Sequence, residues 1–223
     1  MRESYSIFDI TGPIIIGPSS SHTAGACRLA NAARAILGHK VARAVIHVYG
    51  SFAETLSGHG TDKALVGGLI GIGPDDERLM DAFDIAEKSG LDFRFETEDE
   101  VTASANMVLF ELVGADGLSM SIRGASIGGG NIMIDQIDAT FLQISMKYNT
   151  LIVDHLDKAG AVLGVAEILA GHHINIASMN LYRQGKHGRA YMILETDEEI
   201  GEDAQKKIKA LLDMQSIYIK KLY

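Results

Sequence analysis

Apolar residues recur at positions 26, 29, 30, 33 and 37, a helical i, i+3, i+4 spacing, and Gly38 follows as a stop. The spacing predicts a helix over 23–37. From position 41, "VARAVIHVYG" is β-branched and alternates through Ala44, Ile46 and Val48, which predicts a strand ending at Gly50. After a short helical segment comes "SGHGTDKAL", residues 57–65, where Thr61 or Asp62 is placed to cap a helix running to about Ile70. Pro74 and the acidic residues after it open a helix with Leu79, Phe83 and Ala86 on one face and Gly90 as terminator. "LDFRFET", "NMVLFELVG" and "LSMSIRG" then read as strands of one sheet, the last two joined by an "ADG" hairpin turn.

Three consecutive glycines in "SIGGGNIMI", residues 126–134, suit a backbone that takes positive φ or approaches a ligand closely, with a plain turn as the alternative. Beyond "TFLQISMKYN" the pattern restarts. Strand "TLIVDHL", helix "GAVLGVAEILAGH", strands "INIASMNLYRQ" and "GRAYMILETD", helix "EDAQKKIKALLDM" and strand "SIYIKKLY" follow in the order βαββαβ, the ferredoxin-like plan. The expected fold is therefore α+β: a mixed α/β domain over 1–146, then a ferredoxin-like domain over 147–223.

Composition narrows the partners. A chain of 223 residues with 47% hydrophobic and 22% charged residues reads as globular, with room for one large or two modest cores. Its net charge of −9 and lack of a basic face argue against nucleic acid. The opening "MRESYSIFDITG" has no apolar signal-peptide core, and "ALVGGLIGIG" is too short and glycine-rich to cross a bilayer, so no membrane association is expected and the cytoplasm is the expected compartment. The single cysteine, Cys27, excludes an internal disulfide, a CxxC zinc knuckle and a complete cysteine-ligated cluster within this sequence.

Two loops carry candidate chemistry. "GPSSSHTAG", residues 17–25, ends where a helix begins, and a helix start offers unpaired N–H groups and the positive end of the dipole to an anion. Ser19, Ser20, Ser21 and Thr23 add hydroxyls suited to a carboxylate or phosphate; the alternative is one capping serine with the rest solvated. The second loop sets His59 between glycines, beside Thr61 and Asp62, and an imidazole near a carboxylate moves protons near neutral pH. A solvent-exposed loop histidine is the plainer reading, and the presence of two such loops in one domain favours the functional one.

"GPSSSHTAG", "GSFAETLSGHGTDKAL" and "SIGGGNI" together resemble the β chain of the iron–sulfur-dependent L-serine dehydratases, and "DKAGAVLGVAEILAGHHINIASM" resembles an ACT domain, the small amino-acid-sensing module. The resemblance implies loss of water from L-serine to aminoacrylate, then pyruvate and ammonia. It also implies a 4Fe-4S cluster, ligated by cysteines of a partner α chain and not by this chain, that acts as a Lewis acid on the substrate hydroxyl. On this reading His22 and His59 are catalytic candidates, and Ser19, Ser20, Ser21, Thr23, Gly60, Thr61, Asp62, Gly129 and Asn131 bind substrate. Asp157 and Gly160 lie where ACT domains hold an amino acid, and Asn175 and Ile176 open a strand often used in self-association. The alternative is a non-catalytic regulatory protein that joins an anion-binding domain, of the kind found in some phosphoglycerate dehydrogenases, to an ACT sensor. A dehydrogenase proper is not expected, because "GGLIGIG" does not supply a dinucleotide-binding G-x-G-x-x-G between strand and helix.

Overall fold

The computed structural model describes residues 15–100, 104–211 and 214–220, without side-chain detail at 214–217. The chain divides into two compact units, Met1–Ala139 and Thr140–Tyr223.

In the first unit the predicted alternation at Ala44, Ile46 and Val48 is present as β1 (Val41–Tyr49), with all three side chains buried. β1 runs parallel to β2 (Asp92–Glu98) and antiparallel to β3 (Met107–Gly114), and the sheet continues through β4 (Ser119–Gly128) and β5 (Asn131–Ile137) in the order β2-β1-β3-β4-β5, while β6 (Thr140–Ile144) falls in the second unit. A parallel β1–β2 pair needs a long crossover. That crossover holds three helices, α2 (Gly50–Glu54), α3 (Thr61–Leu69) and α4 (Ala82–Ser89).

α1 (Ala26–Leu37) is amphipathic as its spacing predicts, burying Leu29, Ala30, Ala33, Ile36 and Leu37, and Gly38 ends it in the left-handed region at φ 76°. It packs on α3 with almost no space between the backbones. A Cβ added at Gly68 would collide with the Cys27 carbonyl and come within 2.6 Å of Ala30 Cβ, so glycine is what lets the two helices meet.

The structure departs from the sequence reading at several boundaries. The helix expected from 23 begins instead with a π-turn, Ser20–Gly25, in which the Ala24 N–H reaches back to the Ser19 carbonyl at 3.3 Å. Ser19 starts it early because its Oγ accepts from the His22 N–H at 3.1 Å. The single helix expected after Pro74 is two pieces. Asp76 caps a 3₁₀ turn, Glu77–Asp81, by accepting from the Arg78 N–H, and α4 follows to Gly90. Neither Thr61 nor Asp62 caps α3; Gly60 does, with φ 69°.

The second unit has the expected order: β7 (Asn149–Leu156), α5 (Ala161–Gly171), β8 (Ile176–Arg183), β9 (Arg189–Thr196), α6 (Glu202–Lys209) and β10 (Met214–Ile219). Its sheet is ordered β10-β7-β9-β8, the ferredoxin-like arrangement, over a core of Leu151, Val153, Val165, Leu169, Met192, Leu194 and Ile208. The helix expected to reach Met214 stops at Lys209, and Met214 starts β10 instead. Leu212, Asp213 and the expected strand end at 221–223 lie outside the described residues.

Candidate active site at the start of the first helix

The π-turn before α1 widens the backbone ring by one residue and is a feature often found at functional sites. It carries His22, which is half-buried, and Thr23, which is buried. Three groups from the crossover meet the His22 ring. Thr55 Oγ1 lies 3.0 Å from Nδ1, Ser51 Oγ lies 3.3 Å from Nε2, and the Phe52 ring stands edge-on with centroids 5.3 Å apart. Ser51 and Thr55 are four residues apart on and just after α2, so one helical turn presents both hydroxyls on the same face.

The second loop arrives at the same place. The His59 ring lies 5.3 Å from the His22 ring, and Thr23 Oγ1 donates to the His59 carbonyl at 3.2 Å. The two loops singled out in the sequence are thus adjacent. Burial holds the His22 imidazole below its ordinary pKa, and the field of His59 adds to this, so the ring is neutral where a free histidine begins to charge. His59 is exposed, its ring open to solvent beside a neutral base.

Among the remaining expected site residues, Ser19 spends its Oγ on the cap, and Ser20 and Ser21 are half-buried in the π-turn. Thr61 is fully buried and its Oγ1 has no hydrogen-bond partner among the described residues. Asp62, the next residue of α3, accepts from the Lys63 N–H at 2.8 Å. Gly129 and Asn131 lie in the β4–β5 hairpin turn, where Gly128, Gly129 and Gly130 all have positive φ; Asn131 Nδ2 closes the turn on the Gly128 carbonyl at 3.2 Å. Arg28 of α1 ties this turn to the helix by donating from Nη1 to the Gly130 carbonyl at 2.8 Å.

Three residues were missed in the sequence reading. Ser51 and Thr55 sit inside a quoted motif, and their i, i+4 spacing is the signal that could have exposed them. Ser126 is the third: it is buried, its Oγ lacks a partner among the described residues, and it packs so closely on the π-turn that a Cβ at Gly25 would overlap it. Partnerless buried hydroxyls are costly, by about 1–3 kcal/mol each, and such groups are commonly met by a ligand or water.

An iron–sulfur cluster does not fit the residues of this chain. Its one cysteine, Cys27, is buried, donates from Sγ to the Ile72 carbonyl at 3.2 Å, and has its thiol pushed up to about 12, chiefly by burial. A second group of ligand-type side chains, His47, Glu96 and Glu98, lies on β1 and β2, where His47 Nδ1 donates to Glu98 Oε1 at 2.8 Å. Among the described residues, no helix is long and apolar enough to cross a membrane.

In the second unit, Asp157 precedes α5, whose N-cap is Gly160 at φ 90°. Asp157 Oδ2 accepts from the His187 N–H at 3.3 Å and from Arg183 Nη1 at 3.2 Å, and these bonds, the backbone one first, hold its carboxyl below the usual range. Asn175 donates from Nδ2 to Asp197 Oδ2 at 2.7 Å, and Ile176 opens β8, half-buried.

Residues 6–89 match the family described as "Serine dehydratase beta chain", and residues 149–213 match the ACT domain. The chain is 42% identical over 197 residues to "Probable L-serine dehydratase, beta chain" of Bacillus subtilis, covering 88% of this chain and 89% of that protein. It is 35% identical over 207 residues to "L-serine dehydratase, beta chain" of Peptoniphilus asaccharolyticus, covering 92% of each. A shorter stretch of 76 residues is 46% identical to "L-serine dehydratase 2" of Escherichia coli, covering 31% of this chain and 16% of that protein.

Proposed function

The chain belongs to the serine dehydratase beta-chain family, and on that premise we propose that it is the β subunit of a two-chain L-serine dehydratase. This lyase removes water from L-serine to give aminoacrylate, whose hydrolysis delivers pyruvate and ammonia. The observation that carries the reading is the convergence of the two histidine loops: His22 and His59 lie ring against ring, 5.3 Å apart, with hydroxyls around them. Full-length similarity to β chains does not favour the regulatory alternative.

The iron–sulfur cluster implied by the family belongs to the α chain in this proposal, because Cys27 is buried and stays protonated. This chain supplies the other half of the site. Ser20, Ser21, Thr23 and the start of the first helix take the substrate carboxylate. Thr61 and Ser126 bring buried hydroxyls without partners among the described residues, which supports a polar occupant close by. Gly60, Asp62, Gly129 and Asn131 shape the turns around it. His22, held neutral, is suited to accept a proton at neutral pH, and His59, exposed beside it, to exchange protons with substrate and solvent.

For the second unit we propose amino-acid sensing at Asp157 and Gly160, with serine as the first ligand to test, and self-association along the strand opened by Asn175 and Ile176. Exposed Leu181 on β8 supports an apolar contact there. The assembled enzyme is placed in the cytoplasm. The test is co-expression with the α chain and anaerobic assay of serine deamination: His22→Ala and His59→Ala should each lower kcat/KM by about 10²-fold or more. Wild-type values in both variants would overturn the assignment.

A further inference from the structure

The hydrogen bonds around His22 fix which of its nitrogens carries the proton. Thr55 Oγ1 has one hydrogen, and the 2.7 Å contact from Thr55 Oγ1 to the Ser51 carbonyl requires it, since a carbonyl oxygen can only accept. Towards His22 Nδ1, 3.0 Å away, the same hydroxyl therefore has only a lone pair to offer. Nδ1 must be the donor. Nε2 then bears the lone pair, and the Ser51 hydroxyl, 3.3 Å from it, donates into that nitrogen. Burial and His59 disfavour the doubly protonated ring that would let both nitrogens donate.

We propose that Thr55 is a positioning residue that locks His22 in the Nδ1–H tautomer, so that His22 enters the reaction only as a proton acceptor, through Nε2. Free histidine in water favours the opposite tautomer, with the proton on Nε2, so the fold selects the minor form. A proton received at Nε2 produces an imidazolium whose Nδ1–H stays bonded to Thr55, and the ring does not have to turn. The Ser51–Thr55 pair does the work of the backbone or carboxylate acceptor that usually orients a catalytic imidazole. The donor role in the reaction is left to the exposed His59. The catalytic part of this inference rests on the dehydratase reading; the tautomer does not.

The two parts separate experimentally. In the whole chain labelled with ¹⁵N-histidine, two-bond proton–nitrogen spectra distinguish protonated from bare ring nitrogens, and His22→Asn identifies the signal among the eight histidines. The expected spectrum has His22 Nδ1 protonated and Nε2 bare above neutral pH. Thr55→Val, nearly the same shape, should return the proton to Nε2, while Thr55→Ser should keep it on Nδ1. In the assembled enzyme Thr55→Val should lower kcat by about 10²-fold with KM little changed, and Thr55→Ser should restore it. A wild-type spectrum with Nε2 protonated, or a Thr55→Val spectrum identical to wild type, overturns the lock. A tautomer that moves as expected while kcat stays constant overturns the acceptor role of His22. An assembled wild-type complex that fails to consume serine overturns the dehydratase reading and leaves the spectrum to decide the tautomer by itself.

Discussion

The starts of α1 and α5 are alike in sequence terms, each a polar turn before a helix with a glycine close by, but tertiary packing completes them differently. At α1 the cap is local, yet the ring of His22 is contacted by side chains 29 to 37 residues away, and buried hydroxyls nearby have no partner among the described residues. At α5 the carboxylate of Asp157 is already bonded by His187 and Arg183 from the β8–β9 hairpin. A ligand at the first site meets donors lacking acceptors. At the second it meets a carboxylate whose Oδ2 is already shared by His187 and Arg183. The difference teaches that a motif's chemistry depends less on its own residues than on whether the fold has already satisfied them.

The sharpest way to break this comparison is to truncate one group at each start. His22→Ala should reduce serine turnover by about 10²-fold, whereas Asp157→Ala should leave kcat near wild type in saturating serine; equal effects in steady-state assays would erase the distinction. Next in size is a pair of glycines. Gly68→Ala forces α1 and α3 apart and should destabilise the first unit by about 1–3 kcal/mol, read from denaturant midpoints. Gly160→Ala meets no neighbour within 4 Å, so only its positive φ is strained, and about 1 kcal/mol is expected.

A smaller effect should appear with pH. His22 has a folded pKa below the ordinary 6.5, so in the window just beneath that value the unfolded chain binds more protons than the folded one. Stability therefore rises with pH through that window and is lost as the pH falls below about 6.5 toward the lowered folded pKa. His22→Asn should flatten that part of the profile in urea titrations, and an unchanged slope would contradict the burial of the imidazole. Smallest of all, Asp157→Asn should leave the thermal midpoint unmoved while changing the heat of serine binding to the whole chain in calorimetry. Unaltered heat would remove the ligand role from that turn.

Much of this was legible where a residue's role is decided by its neighbours in sequence. Gly38 and Gly90 end their helices because they reach the left-handed region without penalty, and the βαββαβ order follows from clear changes of period. β6 escaped because its pattern is inverted. Thr140, Leu142 and Ile144 are buried, while Phe141 is 66% exposed, so the most apolar side chain faces outwards. The histidines and serines of the two loops could be read as chemistry. Their companions could not: Ser51 and Thr55 acquire meaning only once the crossover folds over the π-turn, and Ser126 only once β4 brings it beneath Gly25.

The order of strands in the second sheet bears on how the chain is made. Its central strand β7 is hydrogen-bonded on one side to β10, which lies about 60 residues further along the sequence. Residues as far as Ile219 must therefore emerge from the ribosome before that sheet can close, while the residues forming the π-turn and its crossover have already emerged. Termination before Met214 would strip an outer strand from the small sheet and leave the histidine pair intact, so the two units differ in their vulnerability to premature termination.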